Sequence, residues 1–235
     1  MNPITIYPIK VVGDVGEGTD IGALICEAVA SAEFSLRDSD VVVVTQKIVS
    51  KAEGRIAIVP DGDREAVAAL VEKEAARIVR RRGNFIIAET KHGLVCANAG
   101  IDSSNVEPGM VTLLPLDSDR SARRIRARIK RTSGADVAVI VSDTFGRAWR
   151  IGQTNIAIGV AGMTPLNDYA GTKDTFGTVL RVTNIAIADE LAGAAEMVMG
   201  KAEEIPLAVI RGAPVQMGRG NARQLVRPLQ DDLFR

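Results

Sequence analysis

Two acidic segments of the chain have the residue types to hold a metal ion beside a phosphate group. Asp143 and Thr144 follow an apolar, β-branched run, where we expect a strand to end and a glycine-containing loop to begin. Asp102 lies in a second polar segment, 98–105. Hard divalent cations prefer oxygen ligands, and the chain offers only one His and two Cys as competing ligands. This pattern predicts an oxygen-ligated Mg²⁺ or Mn²⁺ site rather than a zinc or thiol site.

Each of these signals also has an ordinary structural explanation. Asp and Thr often cap turns, so Asp143 and Thr144 on their own fit a ligand role and a turn role equally well. Arg147 and Arg150 favour the ligand role, because cations beside a metal–phosphate site can hold an anionic substrate. Lys51 follows an apolar strand and could contact a nucleotide phosphate, but taken alone it fits a solvated lysine better.

Several common sites are excluded by their missing motifs. Gly200-Lys201 lacks both the earlier glycine and the following Ser or Thr of a P-loop, and no G-x-G-x-x-G follows a strand. The single histidine, His92, fits a surface turn better than a catalytic base. Lys plus Arg equal Asp plus Glu at 29 each, and the basic helix predicted near 119–131 has no interleaved aromatic residues. We therefore expect neither nucleic acid nor a membrane as a partner.

The hydrophobic pattern predicts an α+β fold with mixed sheets packed against helices. No apolar run approaches 20 residues and no signal peptide opens the chain, so we expect a cytoplasmic protein with Cys26 and Cys96 as free thiols. We predict a peripheral segment over 213–235, after a main domain over 1–212. The predicted helices cover 20–29, 66–79, 119–131 and 188–199; the predicted strands cover 4–7, 41–44, 55–59, 85–89, 94–97, 111–114, 137–141, 155–160, 179–187 and 207–210.

Ordered blocks of the sequence resemble the coenzyme F-420:L-glutamate ligase family, from about residue 4 to residue 212. The blocks are Val44 to Arg55, Asn98 to Val106, Ser142 to Gly146, Asn167 to Gly171 and Ala188 to Leu191. Their order makes the match far more specific than any single motif. The resemblance implies a ligase that uses GTP to add γ-linked L-glutamate to a deazaflavin acceptor. It also implies a family-specific α+β fold built as an intertwined homodimer.

The resemblance implies roles for individual residues. Asp102 and Asp143 would bind one Mg²⁺ or Mn²⁺, and Thr144 a second, with K⁺ as a further candidate ion. Asp102, Asp143 and Lys51 would form the catalytic set. The nucleotide contacts would be Val12, Gly13, Asp14, Val15, Gln46, Lys47, Lys51, Asn105, Gly200 and Lys201, the last two in the segment 199–206. The alternatives are an amino-acid ligase for another carboxylated acceptor and a non-catalytic nucleotide-binding protein.

One position departs from the family pattern. Lys201 stands where archaeal-type members carry an acidic residue that supports the second metal. An ammonium cannot ligate a cation, so Glu203, Glu204 or the nucleotide's phosphates and water must supply the missing oxygens. We favour phosphate and water, with Lys201 against the GTP phosphates. The residues that bind glutamate stay open among Arg147, Arg150, Lys173 and Asp174.

Overall fold

The computed structural model describes residues 3–234. Its strands are β1 (Thr5–Ile9), β2 (Val41–Thr45), β3 (Ile56–Ile58), β4 (Ala75–Arg82), β5 (Phe85–Thr90), β6 (Val95–Ala97), β7 (Met110–Thr112), β8 (Ala138–Arg147), β9 (Arg150–Ala161), β10 (Asn167–Asp168), β11 (Asn184–Ile185) and β12 (Leu207–Arg211). Its helices are α1 (Ile21–Ser31), α2 (Gln46–Ala52), α3 (Arg64–Glu74), α4 (Ser118–Ser133) and α5 (Ile187–Met199). The predicted α+β class with mixed sheets is confirmed.

The largest sheet has the strand order β1-β12-β2-β8-β9 and is covered by helices on both faces. Only β2 and β8 run parallel; the other neighbours are antiparallel. The four valines of 41–44 are fully buried, as expected for a strand covered on both sides. Val42 and Val44 pack with α1 and α4, whereas Val41 and Val43 pack with α5. Because β2 and β8 are parallel, their carboxyl ends meet at one edge of the sheet.

Two of the helices that cover this sheet, α1 and α4, begin at capping residues and bury their apolar faces, as their sequences indicate. Asp20 caps α1 by accepting a hydrogen bond from the Ala23 backbone N–H at 3.0 Å. Helix α4 buries Ala122, Ile125 and Ile129, which form its narrow apolar face. Its basic residues lie outside that face, and several form ion pairs with nearby aspartates. The basic helix is therefore a charged outer surface of the protein.

A second, smaller region holds the segment that carries Asp102. It contains the β3–β7 pair and the three-stranded sheet β4-β5-β6, in which β5 and β6 form a hairpin around His92. The predicted helix over 66–79 is wrong in its second half. Helix α3 ends at Glu74, and Ala75 begins β4 in pairing with Thr90 of β5. Tertiary pairing with β5 overrides the helical spacing of the apolar residues there.

Two further predictions are corrected. The expected strand end before Asp143 does not occur, because β8 continues to Arg147 in a long hairpin with β9, after a register shift between Val141 and Ser142. The predicted strand over 179–187 shrinks to β11, and Ile187 already begins α5. The strand β8 gains its length from pairing with β9, which the local pattern of apolar residues does not indicate.

The ends of the chain complete the fold. Pro8 lies in the edge strand β1, the position in a sheet where a residue without an N–H is best tolerated. Beyond β12, Met217 bridges to Met163 and Ala222 is buried, so part of the 213–235 segment packs on the core. The outermost residues of the two predicted segments, Met1, Asn2 and Arg235, lie outside the described part. Within 3–234, no helix is long and apolar enough to cross a membrane.

Candidate active site

A cleft of about 1220 Å³ opens where the carboxyl end of β2 meets the continuing strand β8. It is larger than the roughly 300–1,000 Å³ of a pocket for one drug-sized ligand, so it has room for more than one substrate. Its walls come from distant parts of the chain: the loop before α1, the start of α2, the segment 96–105, strands β8 and β9, and the segment 199–206. Among the described residues, three cationic side chains line it: Lys47, Lys51 and Lys201.

The start of α2 gives the cleft two lysines with different surroundings. The Lys47 ammonium contacts an Asp102 carboxylate oxygen at 2.8 Å and the backbone and side-chain oxygens of Ser104 at 2.6 Å each. Lys51 lies one turn later on the same helix and also lines the cleft. Within residues 3–234, its ammonium has no ion pair or hydrogen bond. Lys51 is thus the lysine whose charge is free to meet an anionic ligand.

Asp102 lies on a segment whose backbone is held in an uncommon conformation. Asn98, Ala99 and Gly100 have positive φ values of 49°, 52° and 75° in succession. A Cβ on Gly100 would lie 2.7 Å from the Leu114 side chain, so this turn requires glycine for space as well as for φ. Asp102 itself bridges to Thr112 and accepts hydrogen bonds from the Ser104 N–H and hydroxyl. The strained turn therefore delivers the carboxylate to the cleft in a fixed orientation.

Asp143 and Thr144 face the same cleft from the strand β8. The Thr144 hydroxyl donates a hydrogen bond to the side-chain carbonyl of Asn155 at 2.7 Å, directly across the β8–β9 pair. Asn155 is buried, with 4% of its surface exposed. The Lys201 ammonium donates to both of these side chains, to the Thr144 oxygen at 2.8 Å and to the Asn155 oxygen at 3.1 Å.

The two carboxyl groups of the cleft have pKa values shifted in opposite directions. Burial raises the pKa of Asp143 to about 7; the nearby Asp102 charge also raises it, while the Thr144 N–H, Lys47 and Lys201 oppose the shift. Burial acts in the same direction on Asp102, but Lys47 and Ser104 outweigh it and hold its pKa below the ordinary aspartate value. Within residues 3–234, Asp143 therefore lacks a full cationic partner.

The Ser142 hydroxyl is a further indication that the cleft binds a ligand. Its hydroxyl is buried and has no hydrogen-bond partner among the described residues, yet the residue lines the cleft beside Asp143. A buried hydroxyl without a partner costs about 1–3 kcal/mol, so such a group is usually satisfied by a bound molecule or ion.

Comparison with known proteins identifies the family. The profile of the F420-0:Gamma-glutamyl ligase family matches residues 11–212. The chain belongs to this family. It is 44% identical to the coenzyme F420:L-glutamate ligase of Methanothermobacter thermautotrophicus, over 94% of both chains. It is 43% identical to the enzyme of that name from Methanocaldococcus jannaschii, over 94% of this chain and 92% of the other. It is 39% identical to the coenzyme F420:L-glutamate ligase of Methanopyrus kandleri, over 99% of this chain and 98% of the other.

Most of the residues assigned by family resemblance lie together in the structure. The cleft is lined by Gly13, Asp14, Val15, Gln46, Lys47, Lys51, Asp102, Asn105, Asp143, Thr144, Gly200 and Lys201. Val12 does not line it and is 85% exposed. The Gln46 side chain is buried and donates to the Leu113 carbonyl oxygen at 3.1 Å, so its amide is engaged with the protein.

The open candidates for glutamate binding lie elsewhere in this chain. Arg147, Arg150, Lys173 and Asp174 are absent from the lining of the cleft, and the Arg147 guanidinium donates to the Ile151 carbonyl at the hairpin tip. Sequence reasoning missed Ser142 and Asn155. Asn155 had one usable signal, a polar residue at the start of an apolar strand, but its partner Thr144 becomes visible only through the β8–β9 register.

Proposed function

We propose that this ligase adds L-glutamate, through a γ-linkage, to the glutamate-free precursor of coenzyme F-420 and consumes GTP. One observation carries the proposal: a single large cleft, in a chain of this family, gathers Asp102, Asp143 and three lysines. The paired carboxylates suit a divalent cation, and Lys51, whose ammonium has no partner among the described residues, suits phosphate oxygens. The remaining volume of the cleft is available to the acceptor and to glutamate.

The chemistry needs an activated acceptor, because a carboxylate is a poor electrophile. In the proposed reaction, an oxygen of the acceptor's terminal carboxylate attacks the γ-phosphorus of GTP, and GDP leaves. The α-amino group of glutamate then attacks the carbonyl carbon of the acyl phosphate, and inorganic phosphate leaves with the carboxylate oxygen. Repetition on the new γ-carboxylate lengthens the tail. The protein's tasks are to align the reactants and to neutralise charge, with Lys51 on the nucleotide phosphates.

The residues present fit a divalent cation. Asp102 and Asp143 would hold it, and when bound it would neutralise phosphate charge during transfer. Two features support the fit: Asp143 has a raised pKa without a full cationic partner, and the neighbouring Ser142 hydroxyl is unsatisfied. Within the described residues, no group of three His, Cys, Asp or Glu side chains could enclose a metal. The remaining oxygens would come from phosphate and water, the usual arrangement for Mg²⁺.

A phosphate-release assay tests the proposal. Purified protein with Mn²⁺, GTP, the glutamate-free deazaflavin and L-glutamate should release phosphate, and mass spectrometry should detect a glutamyl adduct. Leaving out any one component, or replacing GTP by ATP, should abolish release. Release with another carboxylated acceptor but not with the deazaflavin would support the alternative ligase. Nucleotide binding without turnover on any acceptor would support the non-catalytic alternative.

An isotope experiment tests the acyl phosphate separately. With oxygen-18 in the acceptor carboxylate, the proposed route transfers one labelled oxygen to the released phosphate. Label that stays entirely in the product and the acceptor would contradict this route, even if ligation occurs. Assembly is a separate question: by family resemblance we expect a homodimer, and light scattering of an active monomer would remove that expectation.

A further inference from the structure

The Lys201 ammonium contacts oxygens of three side chains, and its own side chain is 57% exposed. These oxygens belong to the Thr144 hydroxyl at 2.8 Å, the Asn155 amide at 3.1 Å and the Glu196 carboxylate at 3.3 Å. An ammonium has three N–H donors, so these contacts can use all of them. Lys201 can reach this position because Gly200 ends α5 with a φ of 62° and turns the chain toward the cleft.

The two neutral ligands are already oriented toward this cation. The Thr144 hydroxyl gives its hydrogen to Asn155, so its lone pairs face the Lys201 ammonium. Asn155 receives two donors on the same side-chain oxygen, and this fixes the orientation of its amide. Because Thr144 and Asn155 are paired across β8 and β9, the oxygen site is built on a rigid part of the fold.

A second divalent ion at this place would have one carboxylate of the protein, Glu196, beside two neutral oxygens. The contacts of 2.8–3.3 Å are far longer than the roughly 2.0–2.1 Å that Mg²⁺ requires, so a divalent ion would have to expel the ammonium and draw the oxygens inward. The sequence offered Glu203 as one replacement ligand. Its carboxylate instead accepts a hydrogen bond from the Ala202 N–H, and Glu203 does not line the cleft, although Glu204 does.

We infer that the Lys201 ammonium is a built-in monovalent cation that takes the place of a second divalent ion at Thr144 and Asn155. The chain then binds one Mg²⁺ or Mn²⁺ per active site, between Asp102 and Asp143, where the family resemblance implies two. The inference rests on the proposed function for the nucleotide and for the first metal. It assigns Asn155 as a positioning residue, because Asn155 holds both the Thr144 hydroxyl and the ammonium.

Counting bound metal tests this inference without turnover. Free Mn²⁺ is titrated by electron paramagnetic resonance in the presence of saturating GDP, with neither acceptor nor glutamate added. Wild-type protein should bind one Mn²⁺ per chain. Lys201→Glu replaces the ammonium with a carboxylate beside Thr144 and Asn155, so it should bind two, with the second site at least about tenfold tighter than any second site of the wild type.

The matched control is Lys73→Glu, which makes the same change of charge on the exposed surface of α3. It should bind one Mn²⁺, like the wild type. Two Mn²⁺ per wild-type chain would overturn the inference, and so would a single Mn²⁺ in Lys201→Glu. If no ligation is found while these ratios of one and two hold, the proposed function fails and the inference survives. If ligation occurs and the wild type binds two, the reverse is true.

A second variant tests the same point when Lys201→Glu disturbs the fold. Lys201→Met keeps the length of the side chain and removes its charge. Added ammonium chloride should restore part of the ligase activity that this variant loses, and should leave the wild type unchanged. Restoration by additional Mn²⁺ but not by ammonium would contradict a monovalent role for this position.

Discussion

Asp102 and Asp143 face one cleft from opposite kinds of structure. Asp143 lies on the strand β8 of the main sheet, and burial raises its pKa to about 7. Asp102 lies after a turn with three successive positive φ values, and Lys47 with Ser104 keeps its pKa low. One carboxylate is thus short of positive charge, whereas the other already has a cation. The site combines a group that gains from a bound cation with one whose geometry is set beforehand.

The difference shows how one cleft can be both stable and ready to bind. If both carboxylates lacked partners, their mutual repulsion and desolvation would destabilise the folded protein. If both had lysine partners, a divalent ion would have to displace two ammonium groups. Because Lys47 pairs with Asp102 only, the desolvation penalty of the site without a metal arises mainly at Asp143. The following predictions test whether this division between the two carboxylates holds.

The largest effect should follow removal of either negative charge. Asp143→Asn and Asp102→Asn keep the shape of the side chain but weaken a metal ligand, so each should lower kcat by at least about 100-fold. Steady-state phosphate release at saturating Mn²⁺ is the measurement. Asp61→Asn, an exposed aspartate outside the cleft, is the control and should keep full activity. Near-normal turnover in both cleft variants would remove the assignment of the site.

A smaller effect should follow loss of the unpaired lysine. Lys51→Ala removes a charge that has no protein partner in the described structure, so it should raise the KM for GTP by about tenfold and the KM for glutamate much less. Equal increases for both substrates would indicate that Lys51 has a structural role. Lys73→Ala on α3 is the matched control, since that lysine is exposed and lies outside the cleft.

The two regions also differ in how well the sequence predicts them. The apolar run before Asp143 predicts a buried strand, and the structure confirms it, because a strand covered on both faces needs little beyond its own residues. The continuation of β8 past Asp143 is set by pairing with β9, which is not visible in a local pattern. The turn at 98–100 is harder still, since only Gly100 among its positive-φ residues is a glycine.

The same limit applies to the site. Nearly every residue that the family resemblance assigns lines the cleft. The contacts of Lys47 with Asp102 and of Lys201 with Asn155, however, join segments far apart in the chain. A departure such as Lys201 can be noticed in the sequence. What the lysine does there depends on the Thr144–Asn155 pair and on Glu196, which only the folded chain brings together.

The smallest and sharpest effect concerns stability in the absence of metal and nucleotide. The pKa of Asp143 is about 7 in the folded state, against an ordinary value of 3.8. Between these values the folded protein binds a proton that the unfolded chain has lost, so this group's contribution to stability falls as pH rises toward 7. Asp143→Asn should therefore be more stable than wild type at pH 8, by about 1 kcal/mol because solvent in the cleft reduces the full effect.

For Asp102 we expect a stability change of the opposite sign, and the contrast between the two variants is the test. Its pKa is lowered, so its charge stabilises the folded state above the ordinary aspartate pKa, and this contribution is lost only as the pH falls through the lowered value. Asp102→Asn should thus be less stable than wild type at pH 8. Urea unfolding in chelator at pH 8 and pH 5 measures both variants, and the gain of Asp143→Asn should shrink at pH 5. Equal destabilisation of both variants at pH 8 would show that the two carboxylates share one environment, and the contrast drawn between strand and turn would be wrong.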